Sequence, residues 1–573
     1  MNGTTRIYRA LYPDISDWPV YKLYRRRKEF VQAIDDQTLN ALVQKYSPDL
    51  TKPMARTMYL ELIRLKEDPW KSDPPNEKQF WKRVRRELSE NSKHRADEQL
   101  VRNKELLRRI IHRYSEEIAG DFHKKTFHFA RKFLTVFFKR LLNAAAGRRH
   151  RKIWGGGHEL YNKIKIYGDV ERVRQCFEEG TVVIVPTHFS NLDSILIGYA
   201  LDTIVGLPSF SYGAGLNLYN NEIISYYMSR LGAYRVDRRK KNPIYLETLK
   251  TMSNISLQWG VNSLFFPGGT RSRSGAIEKD LKLGLLNSLV EAQRSIFETG
   301  QKRKIIIVPL ILSYHFVLEA RALIDQHLVH SGEEKFLLVP DEYQSTRKIL
   351  RFAWRLFSQS SDIVMSFGEP MDVMGNPVLA HGKELQDTLL TEYFSHHAKL
   401  GSDTQREGVY TRLLAKKIIE NYYKYNVVLS SHLVAFVAFE ILKKLHPDSD
   451  IFGLIRQPEE DFVFPKDLMI DTTKQILGVL KTMKSNGEIR LSDVFTGDDT
   501  ESVIKAGMKN LGVYHNTKPL TLNKKGEIES QSFKLLYYYH NRLDNYNLER
   551  HIHWKTDLLE EAMSSSVWGA GHL

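Results

Sequence analysis

At 573 residues the chain is longer than one hydrophobic core supports, and 42% hydrophobic with 27% charged residues is a globular composition, excluding a disordered or fibrous chain. The net charge of +16 calls for an anionic partner or surface without choosing among nucleic acid, anionic lipid and phosphorylated metabolites. The single cysteine, Cys176, excludes an internal disulfide framework and fits a reducing compartment.

Residues 1–120 are rich in charge and in helix formers at 3.6-residue spacing, which predicts a helical N-terminal region. The first residues form no basic-then-apolar leader, so export by that route is not expected. From 122 to 142, Phe127, Ala130, Phe133, Leu134, Phe137, Phe138 and Leu141 share one helical face. Lys124, Lys125, Arg131, Lys132, Lys139 and Arg140 fill much of the rest, and Arg148, Arg149, Arg151 and Lys152 extend the basic character. This segment, 121–163, suits a helix lying in an anionic bilayer interface, and equally a helix packed on its own core with a solvated basic side.

From Ile164 short apolar strands alternate with helices, and Cys176 reads as a small apolar helix position rather than a nucleophile. Strands are predicted over 181–185, 263–266, 305–312 and 363–367, with helical patterns between them such as 285–297. This is an α/β domain over 164–380 with a mostly buried sheet flanked by helices. Residues 381–573 return to helical patterns. The longest apolar stretch, 427–442, carries Ser430, Ser431, His432 and Glu440 and reads as a buried helix, so the chain is expected not to span a membrane.

Directly after the first predicted strand, His188 precedes Asp193 by five positions. A carboxylate reaching back to an imidazole fixes the ring tautomer, as a general base requires, although the same spacing also suits an aspartate capping the next helix. Three further blocks follow in order. Gly232, Tyr234, Arg235, Asp237, Arg238 and Arg239 make a glycine turn with a cationic cluster. Pro267, Gly268, Gly269, Thr270, Arg271, Ser272, Arg273, Ser274 and Gly275 expose backbone N–H groups and supply arginines and hydroxyls suited to a phosphate. The strand over 305–312 ends beside Ser313 and Tyr314 and would border the same sheet edge.

These blocks resemble the glycerol-3-phosphate acyltransferase family, specifically its bacterial membrane-associated branch. Gly213 to Leu218, Lys282 with Gly284, and Ser366 to Pro370 resemble further family segments, and the likeness is specific over 165–380. The resemblance implies an acyltransferase-type fold and transfer of a fatty acyl group to the sn-1 hydroxyl of glycerol 3-phosphate, the first step of phospholipid synthesis. His188 would be the base and Asp193 its orienting partner. Arg238, Arg271, Ser272, Arg273 and Lys282 would hold phosphate or substrate, and N–H groups at Gly268 and Gly269 the oxyanion. An acyl-CoA or acyl carrier protein thioester would be co-substrate, with no other cofactor and no metal. An anionic membrane on the cytoplasmic side would be the working surface. The chain departs from the family at Gly268, where glutamate is usual, and at Arg235 and Asp237, where aromatic and basic residues are more frequent. The alternatives are a sibling enzyme acting on dihydroxyacetone phosphate or lysophosphatidate, and an inactive lipid-binding scaffold. Nucleic-acid binding has no supporting zinc spacing, helix-turn-helix or aromatic signature.

Overall fold

Seven strands organise the molecule: β1 (Ile164–Tyr167), β2 (Gly180–Pro186), β3 (Ser211–Gly215), β4 (Ala233–Val236), β5 (Ser263–Leu264), β6 (Lys304–Tyr314) and β7 (Ile363–Phe367). The structure is a computed structural model that describes residues 6–70, 73–145, 164–215, 225–226, 230–330, 363–378, 390–396, 399–401, 403–456, 462–497, 499–513, 515 and 517–565. The sheet order is β1-β7-β6-β2-β5-β3-β4. Strands β2 to β6 run one way, while β7 pairs antiparallel with β6 and parallel with β1.

The β-branched runs form these strands because both sheet faces are covered, so most positions of β2, β6 and β7 bury an apolar side chain. Along β6, Ile306, Val308, Leu310 and Leu312 join one core while Ile305, Ile307 and Ile311 join the other, the period of two that a pleated strand imposes. The first core also takes in the Asp193–Thr203 helix and much of the C-terminal region, including the Ser430–Leu445 helix, which is buried along most of its length. The second core is closed by the Leu283–Glu298 and Thr404–Lys424 helices. Predicted strands 181–185, 305–312 and 363–367 are present, whereas 263–266 shortens to Ser263–Leu264.

Strands β1, β3 and β4 are not evident from apolar runs. The segment from Gly213, which resembles a family segment, begins within β3, and Leu216 to Leu218 lie outside the described residues. Glycine at 213 lets the Tyr234 side chain on β4 approach closely, since a Cβ would stand 3.0 Å from the Tyr234 hydroxyl.

The helical N-terminal region comprises Arg27–Tyr46, Thr51–Glu67, Glu77–Asn91 and Ala96–Ile118 as its longer helices. It shares a third core with the Pro243–Gln258 helix, through Phe30, Trp81, Tyr114, Tyr245 and Met252. Charged contacts fasten the two: Lys240 Nζ donates to Glu117 at 2.6 Å, and Arg239 donates to both Asp237 and Asp73 at 2.8 Å.

The Lys124–Ala145 helix has a divided aromatic face. Phe127 and Leu134 pack against the body, while Phe133 is 52% exposed, together with Phe129 at 56% and Val136 at 44%. Arg131 anchors the helix through Asp202 at 2.9 Å, and burial raises that carboxyl to about 6. The side chains of Phe137, Phe138, Lys139, Arg140 and Leu141, and all of Arg148 to Lys152, lie outside the described residues. Among the described residues no helix is long and apolar enough to cross a membrane.

Candidate active site

The loop leaving β2 carries His188, and the next helix begins at Asp193, which is fully buried. Asp193 Oδ2 accepts His188 Nδ1–H at 2.9 Å and the N–H groups of Phe189 and Ser190 at 2.7 and 2.9 Å. Its Oδ1 accepts the Tyr314 hydroxyl at 2.7 Å. Burial, and then Asp193 itself, raises the Tyr314 phenol well above its ordinary range, so it remains a donor. With Nδ1–H committed to a carboxylate, the neutral His188 ring keeps its lone pair on Nε2. The ring stacks on Phe266 at 4.1 Å and the side chain is 14% exposed, enough to meet a substrate.

The loop after β5 stands alongside. Its Ser272 N–H donates to the His188 carbonyl at 2.7 Å. Two candidate roles change here. The Ser272 hydroxyl donates to the Ala276 carbonyl at 2.7 Å, so its proton serves the loop and not a ligand. The Gly269 N–H donates to the Phe266 carbonyl at 3.0 Å to close a turn, so it is not available to an oxyanion. The Gly268 N–H has no hydrogen-bond partner among the described residues.

Arg271 lies beside Glu319, Nη1 to Oε1 at 3.3 Å. Arg238, at the end of β4, is held below its ordinary value first by desolvation and then by Arg271, which puts two guanidinium groups in one field. Such an arrangement favours an anion between them. Arg273 and Lys282 have no ion-pair partner among the described residues. Arg239, adjacent to Arg238, faces the N-terminal helices instead.

Several residues that reach this site carry no motif. Glu319 accepts the Asn191 N–H at 3.0 Å and the Ser190 hydroxyl at 3.1 Å, tying the His188 loop to Arg271. From the C-terminal region, Asn541 donates to the Ser274 carbonyl at 3.0 Å. Arg542 donates to the Leu312 carbonyl at 2.6 Å and lies 4.3 Å over the Phe189 ring. At Gly268, where the family pattern has glutamate, a carboxylate is present after all: that of Glu278, whose Cγ is 3.1 Å from where a Cβ would stand. Asp237, the other departure, has its carboxylate turned to Arg239. Beside Asp193, an apolar cavity of about 130 Å³ lies between the Lys124–Ala145 and Asp193–Thr203 helices, lined by Phe127, Leu134, Ile195, Tyr199, Phe210 and Leu264.

Residues 163–313 match the acyltransferase family model. A glycerol-3-phosphate acyltransferase of Pseudomonas aeruginosa is 26% identical over 263 residues, 46% of this chain and 27% of that protein. One of Aeromonas hydrophila is 28% identical over 262 residues, 45% of this chain and 28% of that protein. The match thus spans little more than a quarter of the length of these relatives. The 1-acyl-sn-glycerophosphate (LPA) acyltransferase PlsC from Thermotoga maritima aligns over 47% of this chain and 90% of its own at 14% identity, with a TM-score of 0.22, too low to bear on the fold. Residues 163–313, with His188, Asp193 and the arginine loop among them, are thus the part of the chain that matches an acyltransferase domain.

Proposed function

We propose that this chain is a glycerol-3-phosphate acyltransferase acting at the cytoplasmic surface of an anionic membrane. What carries the reading is the His188–Asp193 pair at the same sheet edge as the two mutually repelling cations Arg238 and Arg271. His188 Nε2 takes the proton from the sn-1 hydroxyl as that oxygen bonds to the thioester carbonyl carbon. The tetrahedral intermediate then collapses, the C–S bond breaks, and the imidazolium returns the proton to the departing thiolate. Asp193 keeps the tautomer and offsets the imidazolium charge. Arg238 and Arg271, with Arg273 and Lys282, hold the phosphate, and the Gly268 N–H faces the oxyanion. No acyl-enzyme is required: Cys176 is in the core, its thiol pushed up to about 11 by burial.

The donor is an acyl-CoA or acyl carrier protein thioester, its chain taken by the apolar cavity beside Asp193. The exposed Phe129, Phe133 and Val136, interleaved with exposed Lys125 and Lys132, support seating of the Lys124–Ala145 helix in the interface the product enters. The test is acyl transfer by purified protein with anionic vesicles, offering each donor in turn with glycerol 3-phosphate, dihydroxyacetone phosphate or lysophosphatidate. Preference for glycerol 3-phosphate is expected, and His188→Ala should lose about 10²–10⁴-fold in turnover with its fold intact. Absence of transfer to all three acceptors would sink the reading.

A further inference from the structure

Glu278 is a titratable side chain that the mechanism above leaves idle. It lies between the arginine loop and the Leu283–Glu298 helix, and its carboxyl is set against the backbone of Gly268. A Cβ on Gly268 would stand 3.1 Å from Glu278 Cγ and 3.3 Å from Oε1. Gly269 needs to be glycine because its φ is +79°, but Gly268 is not among the residues of positive φ. Its missing side chain therefore answers to what fills the space and not to the backbone. Glu278 Oε1 accepts the His188 N–H at 3.0 Å. The residue as a whole is half-buried, yet Oε2 is sealed from solvent and has no hydrogen-bond partner among the described residues. Since Ser272 holds the His188 carbonyl, the peptide on either side of the His188 Cα is gripped, by Glu278 on one side and by the arginine loop on the other.

We propose that Glu278 is a positioning residue of the acyl-transfer site, its carboxyl seated where Gly268 carries no side chain and aiming the His188 ring through the His188 N–H. The proposal rests on the reading of His188 as the base. Ionisable and charged neighbours of the carboxyl are Asp193, Arg542, Tyr422 and Tyr423, and none of them donates to it. The 3.3 Å from a Cβ at 268 to the carboxyl oxygen is about the span from Cβ to Oε within a glutamate, so the same acceptor is reachable from position 268.

The experiment compares kcat, KM for each substrate and melting temperature for Glu278→Ala, Glu278→Gln, the double variant Gly268→Glu/Glu278→Ala, and His188→Ala. Glu278→Ala is expected to keep its fold and both KM values while losing about 10- to 100-fold in kcat, the effect of a misaimed group. Glu278→Gln, whose amide oxygen accepts the same bond, is expected to recover most of that loss. The double variant is expected to turn over several-fold faster than Glu278→Ala, with the carboxylate supplied from position 268. Wild-type kcat in Glu278→Ala, or a folded double variant as slow as Glu278→Ala, overturns the proposal. If Glu278→Ala does not fold, Glu278→Met, which fills the space without an acceptor oxygen, carries the test, and wild-type kcat there overturns it equally. Retained turnover in His188→Ala overturns the mechanism beneath, whatever Glu278 does.

Discussion

Asp193 has four donors on its two oxygens: the His188 ring, two backbone N–H groups and the Tyr314 hydroxyl. An amide in its place offers one accepting oxygen and turns an N–H toward groups that also donate. Asp193→Asn should therefore lower kcat by about 10²–10⁴-fold, checked against an unchanged circular dichroism spectrum. Glu278 gives a second prediction at this scale. Burial raises its carboxyl from an ordinary 4.5 to about 7. Between those values the folded protein holds a proton that the unfolded chain has released, so stability from this group falls as pH rises and levels off above about 7. Glu278→Gln removes that decline. Its urea midpoint relative to wild type should be higher at pH ~8 than at pH ~4, by about 1–3 kcal/mol in stability. His188, Asp193, Arg238 and Arg271 could be picked out because each belongs to a contiguous motif. Tyr314 is placed at the same sheet edge by its strand, but Glu319 and Asn541 are not: they meet the site across separations of 129 and 267 residues, which no local spacing records.

At the scale of elements, strands announced themselves where both faces are apolar, as in β2, β6 and β7. They did not where glycine fits a close neighbour, as in β3, or where polar residues at a site edge interrupt the run, as in β4. Aromatic periodicity identified the Lys124–Ala145 helix but not which aromatic faces inward, because the register of docking is set by Asp202 and the cavity wall. Replacing Phe129 and Phe133 together by Ser should leave the melting temperature within a few degrees, since both are more than half exposed. The same pair should weaken vesicle binding by about tenfold or more, with the remainder salt-sensitive. Gly275 joins two elements: it has φ +84°, and a Cβ would stand 2.1 Å from the Tyr538 carbonyl oxygen. Gly275→Ala should cost about 2–4 kcal/mol in urea unfolding, by separating the arginine loop from the Phe533–His540 helix.

Across the whole molecule, the N-terminal helices and the acyltransferase domain are joined by buried charge as well as by their shared core. Lys240 is 2% exposed and Glu117, already raised by burial, is its counter-ion. Lys240→Met leaves that carboxylate without compensation and should destabilise by about 3–5 kcal/mol, while Lys240→Met with Glu117→Leu should restore much of the loss. Composition and periodicity revealed the helical character of both ends but not this fastening, because each charge looks like a solvated one until its partner is known.

The antiparallel setting of β7 bears on the order in which the candidate site is assembled. Because β7 starts beside Tyr314 and runs antiparallel to β6, the chain is carried back along the sheet, away from the strand ends where the candidate site lies. It must return by way of the C-terminal helices before Asn541 reaches Ser274, 267 residues earlier, and Arg542 reaches Leu312, 230 residues earlier. At a synthesis rate of about 5–20 residues per second, the acyltransferase domain emerges from the ribosome on the order of ten seconds to a minute before its brace exists. The Lys124–Ala145 helix emerges earlier still. A nascent chain thus presents its half-exposed aromatic helix first and completes its arginine loop last, an order in which the exposed aromatic face is available before the candidate site is braced.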